Sequence, residues 1–323
     1  MSSWAAAYAG RRVVVLGASG FIGRWVARAL AERGAHVIAV GREADGVRHA
    51  VGAKSAPHQI EVYDFERPLA SGWLSALRPD VVFNLAGYGV DRSERDAALA
   101  RRLNRDLVAE LSDAIVSLGV SDWPHARLVH AGSALEYGAT GGVLHEGSPT
   151  AATMLYGETK LAGTTALVER ARASRTRAIV GRLFTVYGAG EHAGRLLPTI
   201  LGAAASGADV PLSDGLQRRD FAYVEDVAEG LLRLALSSAE PGEIVNLATG
   251  VMQPVRKFVE VAAAVAGVPR ERLHFGAVPT RPEEMSHTGV SVERLEELTG
   301  WRPPADLQAG VRRTLMRLGE EPR

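Results

Sequence analysis

The sequence predicts an α/β fold, a doubly wound parallel sheet followed by a smaller, mixed α/β C-terminal lobe. Two observations carry this expectation. Six short β-branched apolar runs alternate with helical segments over residues 1–185. Beyond them, Gly188, Gly190, Pro198, Pro211, Gly215, Pro254, Pro279, Pro282, Pro303 and Pro304 divide residues 186–323 into short elements suited to binding loops.

The first run, Arg12-Val-Val-Val-Leu-Gly17, lacks polar alternation and so reads as a strand covered on both faces. Gly17-Ala-Ser19-Gly20-Phe21-Ile22-Gly23 follows, then an amphipathic helical segment from Arg24 closed by Gly34. A glycine turn between a buried strand and a helix presents backbone N–H groups to a pyrophosphate, so Gly17, Ser19, Gly20, Phe21, Ile22 and Gly23 are candidate dinucleotide contacts. The second strand, residues 35–40, leads into Gly41-Arg42, where NAD-binding chains usually carry an acid for the ribose hydroxyls. An arginine there, with Arg24 behind the last glycine, favours NADP(H) and leaves NAD(H) as the alternative; the competing reading is a pair of solvated surface arginines.

Residues 60–65 read as a third strand that brings Asp64 and Phe65 toward the adenine, and residues 79–84 as a fourth. Asn84-Leu85-Ala86-Gly87 then crosses the cofactor region on small residues. A long helix is expected over residues 92–118 with Asn104 in its middle, a poor helix former that is either exposed or held in a specific polar contact. A fifth strand, residues 125–131, delivers Ser133 to its C-terminal end, where ligands sit in open parallel sheets. The next helix carries Tyr156 and Lys160, and residues 177–184 form the sixth strand.

Four residues apart on a helix, Tyr156 and Lys160 share one face. A tyrosine acting near neutrality needs its phenol lowered by roughly three units, about 4 kcal/mol, and a neighbouring ammonium pushes in that direction. Ser133 adds a hydroxyl to the same place. Taken alone, the pair is more simply read as helix surface; its position behind the glycine turn and the sheet gives it chemical meaning.

With 323 residues, 46% apolar and 23% charged, the composition is that of a globular protein with one generous domain or a domain with a smaller lobe. Basic and acidic residues number 37 each, so no bulk charge draws the chain to nucleic acid or an anionic membrane. The absence of cysteine excludes disulfides and thiolate chemistry. No apolar segment approaches 18 residues and the N-terminal charge order is the reverse of a signal peptide, so a cytoplasmic location is expected.

These pieces, with Ser133-x-x-x-Tyr137-Gly138, Arg182-Leu-Phe-Thr185-Val-Tyr-Gly188, Arg219-Asp-Phe-Ala-Tyr-Val-Glu-Asp-Val-Ala228, Gly242-Glu-Ile-Val-Asn246, Arg281-Pro-Glu-Glu284 and Gly300-Trp-Arg-Pro303, resemble the extended short-chain dehydrogenase/reductases. The resemblance spans Gly17 to about Leu315 and implies a Rossmann-type dinucleotide-binding domain over residues 1–185, also receiving segments near 217–248. Residues 186–323 would form mainly the substrate-binding lobe. It implies Ser133, Tyr156 and Lys160 as the catalytic set, with Lys160 also holding the nicotinamide ribose and Asn104 near the cofactor. Arg219 and Arg281 match arginines that grip the diphosphate of a nucleotide-diphosphate sugar, Glu284 an acid that contacts its ribose, and Thr185 a substrate contact that is asparagine in many relatives. The alternative for the two arginines is a salt bridge to Asp220 or Glu283. A homodimer through a helix bundle, built on residues 92–118 and 154–174, is also implied.

Relatives that eliminate water carry an acid pair where this chain has Ala134 and Leu135, so a dehydratase is disfavoured. Glu136 is one residue off and should aim elsewhere. The leading expectation is NADPH-dependent reduction of a nucleotide-linked 4-keto-(6-deoxy) sugar with Tyr156 as general acid. A nucleotide-sugar 4-epimerase is second, and a non-catalytic dinucleotide-binding regulator a distant third.

Overall fold

Val13 to Leu16 are fully buried in β1 (Arg12–Leu16), and their alternation builds the interior. Val13 and Val15 enter one apolar cluster while Val14 and Leu16 enter another, as the twofold period of a strand requires. Each such side chain contributes roughly 1.5–3 kcal/mol by leaving water. The computed structural model describes residues 4–52, 55–90, 94–119, 121–280 and 285–320.

After β1 come α1 (Gly23–Glu32), β2 (His36–Gly41), α2 (Ala44–Val51), β3 (Gln59–Val62), α3 (Trp73–Leu77) and β4 (Val81–Asn84). α4 (Ala97–Arg101), a π-helical turn over Arg102–Asp106 and α5 (Leu107–Ser117) lead to β5 (Leu128–Ser133). Next are β6 (Gly142–Leu144), α6 (Leu155–Ser174), β7 (Ala178–Leu183), β8 (Thr185–Tyr187), α7 (Leu196–Ser206), β9 (Val210–Leu212) and β10 (Arg218–Tyr223). The chain ends with α8 (Val224–Leu236), β11 (Glu243–Leu247), β12 (Met252–Pro254), α9 (Val255–Ala266), β13 (Leu273–Phe275), β14 (His287–Val290), α10 (Glu293–Thr299) and α11 (Leu307–Glu320).

All six expected strands form, and β11 joins them as a seventh in the order β11-β7-β5-β4-β1-β2-β3, parallel throughout. The winding reverses between β1 and β4, which opens the crevice where ligands bind in such sheets. α5 and α6 cover one face through Leu107, Leu111 and Leu167, and α1 and α8 the other through Val26, Leu30 and Leu231. Three small sheets form the remaining lobe: β12-β10-β8, β13-β9 and β14-β6.

The single helix expected over residues 92–118 is instead α4 and α5 joined by the π turn, with Asn104 inside that turn and fully buried. Among the described residues, no helix is long and apolar enough to cross a membrane.

Candidate active site

Gly17 has a φ of +75°, and a Cβ on it would lie 2.8 Å from the backbone of Leu85 and Ala86. At Gly23 a Cβ would sit 2.0 Å from the Gly17 carbonyl oxygen. Both glycines let the turn lie flat against the end of β4 and let α1 start directly behind it. The resulting cradle, with the N-terminus of α1 beneath, fits a dinucleotide pyrophosphate. Phe21 and Ile22 pack on the core beside it, and Ser19 Oγ lies beside Gly41 at the end of β2. The Arg24 guanidinium donates to Ser19 O at 3.0 Å and Gly20 O at 3.2 Å, so this arginine braces the turn through its carbonyls. Arg42 is exposed immediately after β2. Asp64 pairs with Arg67 at 3.3 Å and accepts from Glu66 N, while Phe65 is buried in the core.

Ser133 ends β5 and caps a short 3-10 turn, accepting from Leu135 N at 3.2 Å. Its own N–H donates to Glu136 Oε1 at 2.8 Å, completing a capping box. Glu136 is fully buried, receives Thr164 Oγ1 at 3.0 Å and pairs with Arg182 at 2.8 Å. Its carboxylate is thus spent on holding the serine loop, as its offset from the acid pair of dehydratases foretold.

Tyr156 and Lys160 occupy the first turns of α6, and the Tyr156 ring packs where a Gly89 Cβ would lie 3.3 Å away. Burial, and then the Glu136 charge, push the phenol up to about 12, while a hydrogen bond with Ser133 and the Arg195 charge pull it down. That is opposite to the lowering expected from the lysine alone. A phenol raised in this way keeps its proton across the neutral range. Lys160, 3% exposed, is pushed down to about 8 by burial, with Glu136 opposing.

Of the two readings of Asn104, exposed or held in a specific polar contact, the second holds. Its Nδ2 donates to Tyr88 O at 2.7 Å and Thr159 Oγ1 at 2.9 Å, and its Oδ1 accepts from Tyr88 N at 3.0 Å. It therefore ties the loop after Gly87 to α6, between the two residues of the Tyr–Lys pair. A Cβ on Gly163 would sit 2.0 Å from Asn104 O, so α6 reaches the π turn only because residue 163 is glycine.

In the second lobe, Thr185 starts β8 and pairs in register with Phe221, while Arg219 is half-buried on β10. Asp220 points the other way. It accepts from Thr249 N, Thr249 Oγ1 and Val251 N at 2.9–3.0 Å, which satisfies both oxygens and leaves the salt bridge considered for Arg219 without this partner. Arg281, Glu284 and Glu283, the other salt-bridge partner considered, lie outside the described residues.

Two buried groups here, His130 and Glu191, were not singled out from sequence, and Asn84 only as the start of the segment that crosses the cofactor region. His130 Nε2 lies 3.4 Å from Lys160 Nζ, and its Nδ1 lies 3.2 Å from Asn84 Nδ2. Glu191 follows β8, pairs with Arg195 at 3.4 Å and is pushed up to about 7 by burial. For His130 and Asn84 a signal existed: polar residues inside otherwise apolar, fully buried strands.

A buried tyrosine–lysine pair beside a glycine turn that fits a dinucleotide is the equipment of a dinucleotide-dependent oxidoreductase. The chain belongs to the NAD dependent epimerase/dehydratase family, whose profile matches residues 13–248, and so to the extended short-chain dehydrogenase/reductases that its motifs resemble. It is an NAD(P)-dependent nucleotide-sugar oxidoreductase or epimerase. It is 32% identical over 316 residues to dTDP-6-deoxy-L-talose 4-dehydrogenase (NAD(P)(+)) of Kitasatospora kifunensis, covering 93% of each chain. Identity to a UDP-glucose 4-epimerase of Corynebacterium glutamicum is 28% over 313 residues, 90% of this chain and 91% of that one. The solved structure of MoeE5 in complex with UDP-glucuronic acid and NAD superimposes with a TM-score of 0.79 at 27% identity, over 95% of this chain and 99% of that one.

Proposed function

We propose that this chain is an NADPH-dependent reductase of a nucleotide-linked 4-keto-(6-deoxy) sugar. The observation that carries the reading is Arg42, exposed immediately after β2 where an acid would accept ribose hydroxyls; a guanidinium suits a 2′-phosphate instead. The dinucleotide, when bound, supplies the hydride. Tyr156 gives its proton to the alkoxide oxygen, and its high affinity for that proton matches a strongly basic acceptor. Ser133 orients the carbonyl oxygen, and the Lys160 ammonium stabilises the phenolate left behind. Arg219 and Arg281 grip the diphosphate, with Glu284 on the nucleotide ribose and Thr185 on the sugar. The likeness to a talose 4-dehydrogenase of the NAD(P)(+) type supports a redox step at carbon 4.

A 4-epimerase is the second reading, favoured by the likeness to the UDP-glucose 4-epimerase. The enzyme is proposed to be cytoplasmic and to pair as a dimer through the outer faces of α5 and α6, whose inner faces are already used within the subunit. Absorbance at 340 nm decides the reaction. NADPH consumption with a dTDP-4-keto-6-deoxy sugar, faster than NADH consumption, is expected. Tightly held NAD after purification, with epimers exchanging and no NADPH consumed, would replace this reading with the second.

A further inference from the structure

His130 and Asn84 stand opposite each other in the register of β5 and β4, on the face that α6 covers. His130 and Asn84 are fully buried and Lys160 is 3% exposed, so no bulk water can solvate the lysine from this side. We propose that neutral His130 is the positioning residue for Lys160: it accepts one N–H of the ammonium from beneath and leaves the other two aimed at the cofactor ribose and Tyr156.

The donor inventory decides the roles. A lysine ammonium has three donors and no acceptor, while a neutral imidazole has one of each. A charged Lys160 at Nε2 therefore requires the ring proton on Nδ1, facing the Asn84 carboxamide oxygen. A neutral Lys160 accepts from Nε2–H, and Nδ1 then accepts from Asn84 Nδ2. Asn84 Oδ1 is buried and without a hydrogen-bond partner, so a 180° turn of the amide toward Nδ1 satisfies it as the lysine charges. The Asn84–His130 pair can thus support Lys160 in either state.

A carboxylate at position 130 would bind the ammonium tightly and draw it from Tyr156; an apolar residue would leave it unsolvated and neutral. Imidazole lies between these extremes, and burial with the Lys160 charge holds His130 well below its usual range, so it remains neutral. The other ionisable groups facing this centre are Glu136, engaged with Arg182, and Tyr156.

The inference rests on Lys160 contacting the dinucleotide, and its test is independent of the sugar. Binding of NADPH, with NADH in parallel, is followed by nucleotide fluorescence from pH 6 to 10 in the full chain, in His130→Phe and in His130→Gln. In the wild type, affinity should fall with a midpoint near the Lys160 value of about 8. His130→Phe should move that midpoint down by about one unit, so that binding at pH 8 is several-fold weaker while binding at pH 6 is close to normal. His130→Gln, which keeps an acceptor, should restore most of the shift. In a Lys160→Met background the Phe substitution should leave the pH profile unchanged. An unmoved midpoint in His130→Phe, or a loss equal at every pH, overturns the proposal; should that variant not fold, the same shift, smaller, is required of His130→Gln. A moved midpoint in an enzyme that reduces no keto-sugar keeps the role of His130 and retires the reductase reading.

Discussion

Lys160 carries its charge against the direction in which burial pushes it, and that opposition has a thermodynamic consequence. A folded-state value depressed from 10.5 to about 8 means that stability is fully present above pH 10.5 and lost as pH falls through 8. At pH 7 the loss is on the order of 3 kcal/mol for a shift of this size. Lys160→Met should therefore raise the thermal midpoint at pH 7 while lowering turnover by about 100-fold or more, and its stability advantage should vanish above pH 10.5. Calorimetry across that range checks the sign. Glu191 gives the mirror case. Burial raises its carboxyl from 4.5 to about 7, with Arg195 pulling back, and Oε2 has no hydrogen-bond partner. Its stabilising protonated form is complete below pH 4.5 and lost as pH rises through 7, so Glu191→Gln should be more stable than the wild type at pH 8, by up to about 3 kcal/mol, and equal to it near pH 4.5. Urea midpoints at the two pH values distinguish this from a pH-independent packing effect. Tyr156, Lys160 and Ser133 stand out in the sequence because their spacing and flanking elements are local, and Asn104 stands out as a poor helix former whose two readings the fold decides. His130 and Glu191 could not be assigned, because their chemistry comes from partners that only the tertiary fold supplies. The upward shift of the Tyr156 phenol has the same origin: it comes first from burial and then from the Glu136 charge, and neither is visible in a Tyr-x-x-x-Lys string.

At the scale of elements, strands were easier to read than the helix before β5. Uninterrupted β-branched runs leave little choice of conformation, and all six expected strands form. The stretch before β5 has helical composition, but Asn104 bonds to the Tyr88 backbone and Thr159, and its insertion as a π turn divides α4 from α5. A π turn at a polar contact is a frequent mark of a functional site, and the local sequence alone does not specify it. Its counterpart is Gly163 on α6. Gly163→Ala would bring a methyl group within 2.0 Å of Asn104 O, and the helix or the turn must shift. The expected cost is about 1–3 kcal/mol in urea unfolding with an unchanged m-value. Turnover should fall more than stability predicts, because the displaced Asn104 no longer ties the loop after Gly87 to the helix bearing Tyr156 and Lys160.

The whole molecule is not a sheet domain with a detachable lobe. Residues 1–185 contain six of the seven strands, but β7 then lacks its outer neighbour, and every residue of β7 is buried. That neighbour, β11, returns from beyond residue 240 and pairs with β7 along its length from Ile179 to Leu183. α8 covers the face shared with α1 through Leu231 and Leu234, and the Tyr8 hydroxyl donates to Leu232 O at 2.6 Å. Cutting the chain after residue 185 would expose an apolar parallel edge strand together with the face beneath α8, a surface prone to pairing with other chains. A 1–185 fragment is therefore expected to be insoluble or to bind a hydrophobic dye strongly. A 1–250 fragment, which keeps β10, α8 and β11, should be markedly more soluble and retain dinucleotide binding, since it completes the sheet and contains the glycine turn after β1, the π turn with Asn104 and α6 with Lys160, the proposed cofactor contacts. The full chain should unfold in one calorimetric transition. A soluble, cooperatively folded 1–185 fragment that binds NADPH as tightly as the full chain would show that the sheet does not depend on β11 and that the two lobes are separable after all.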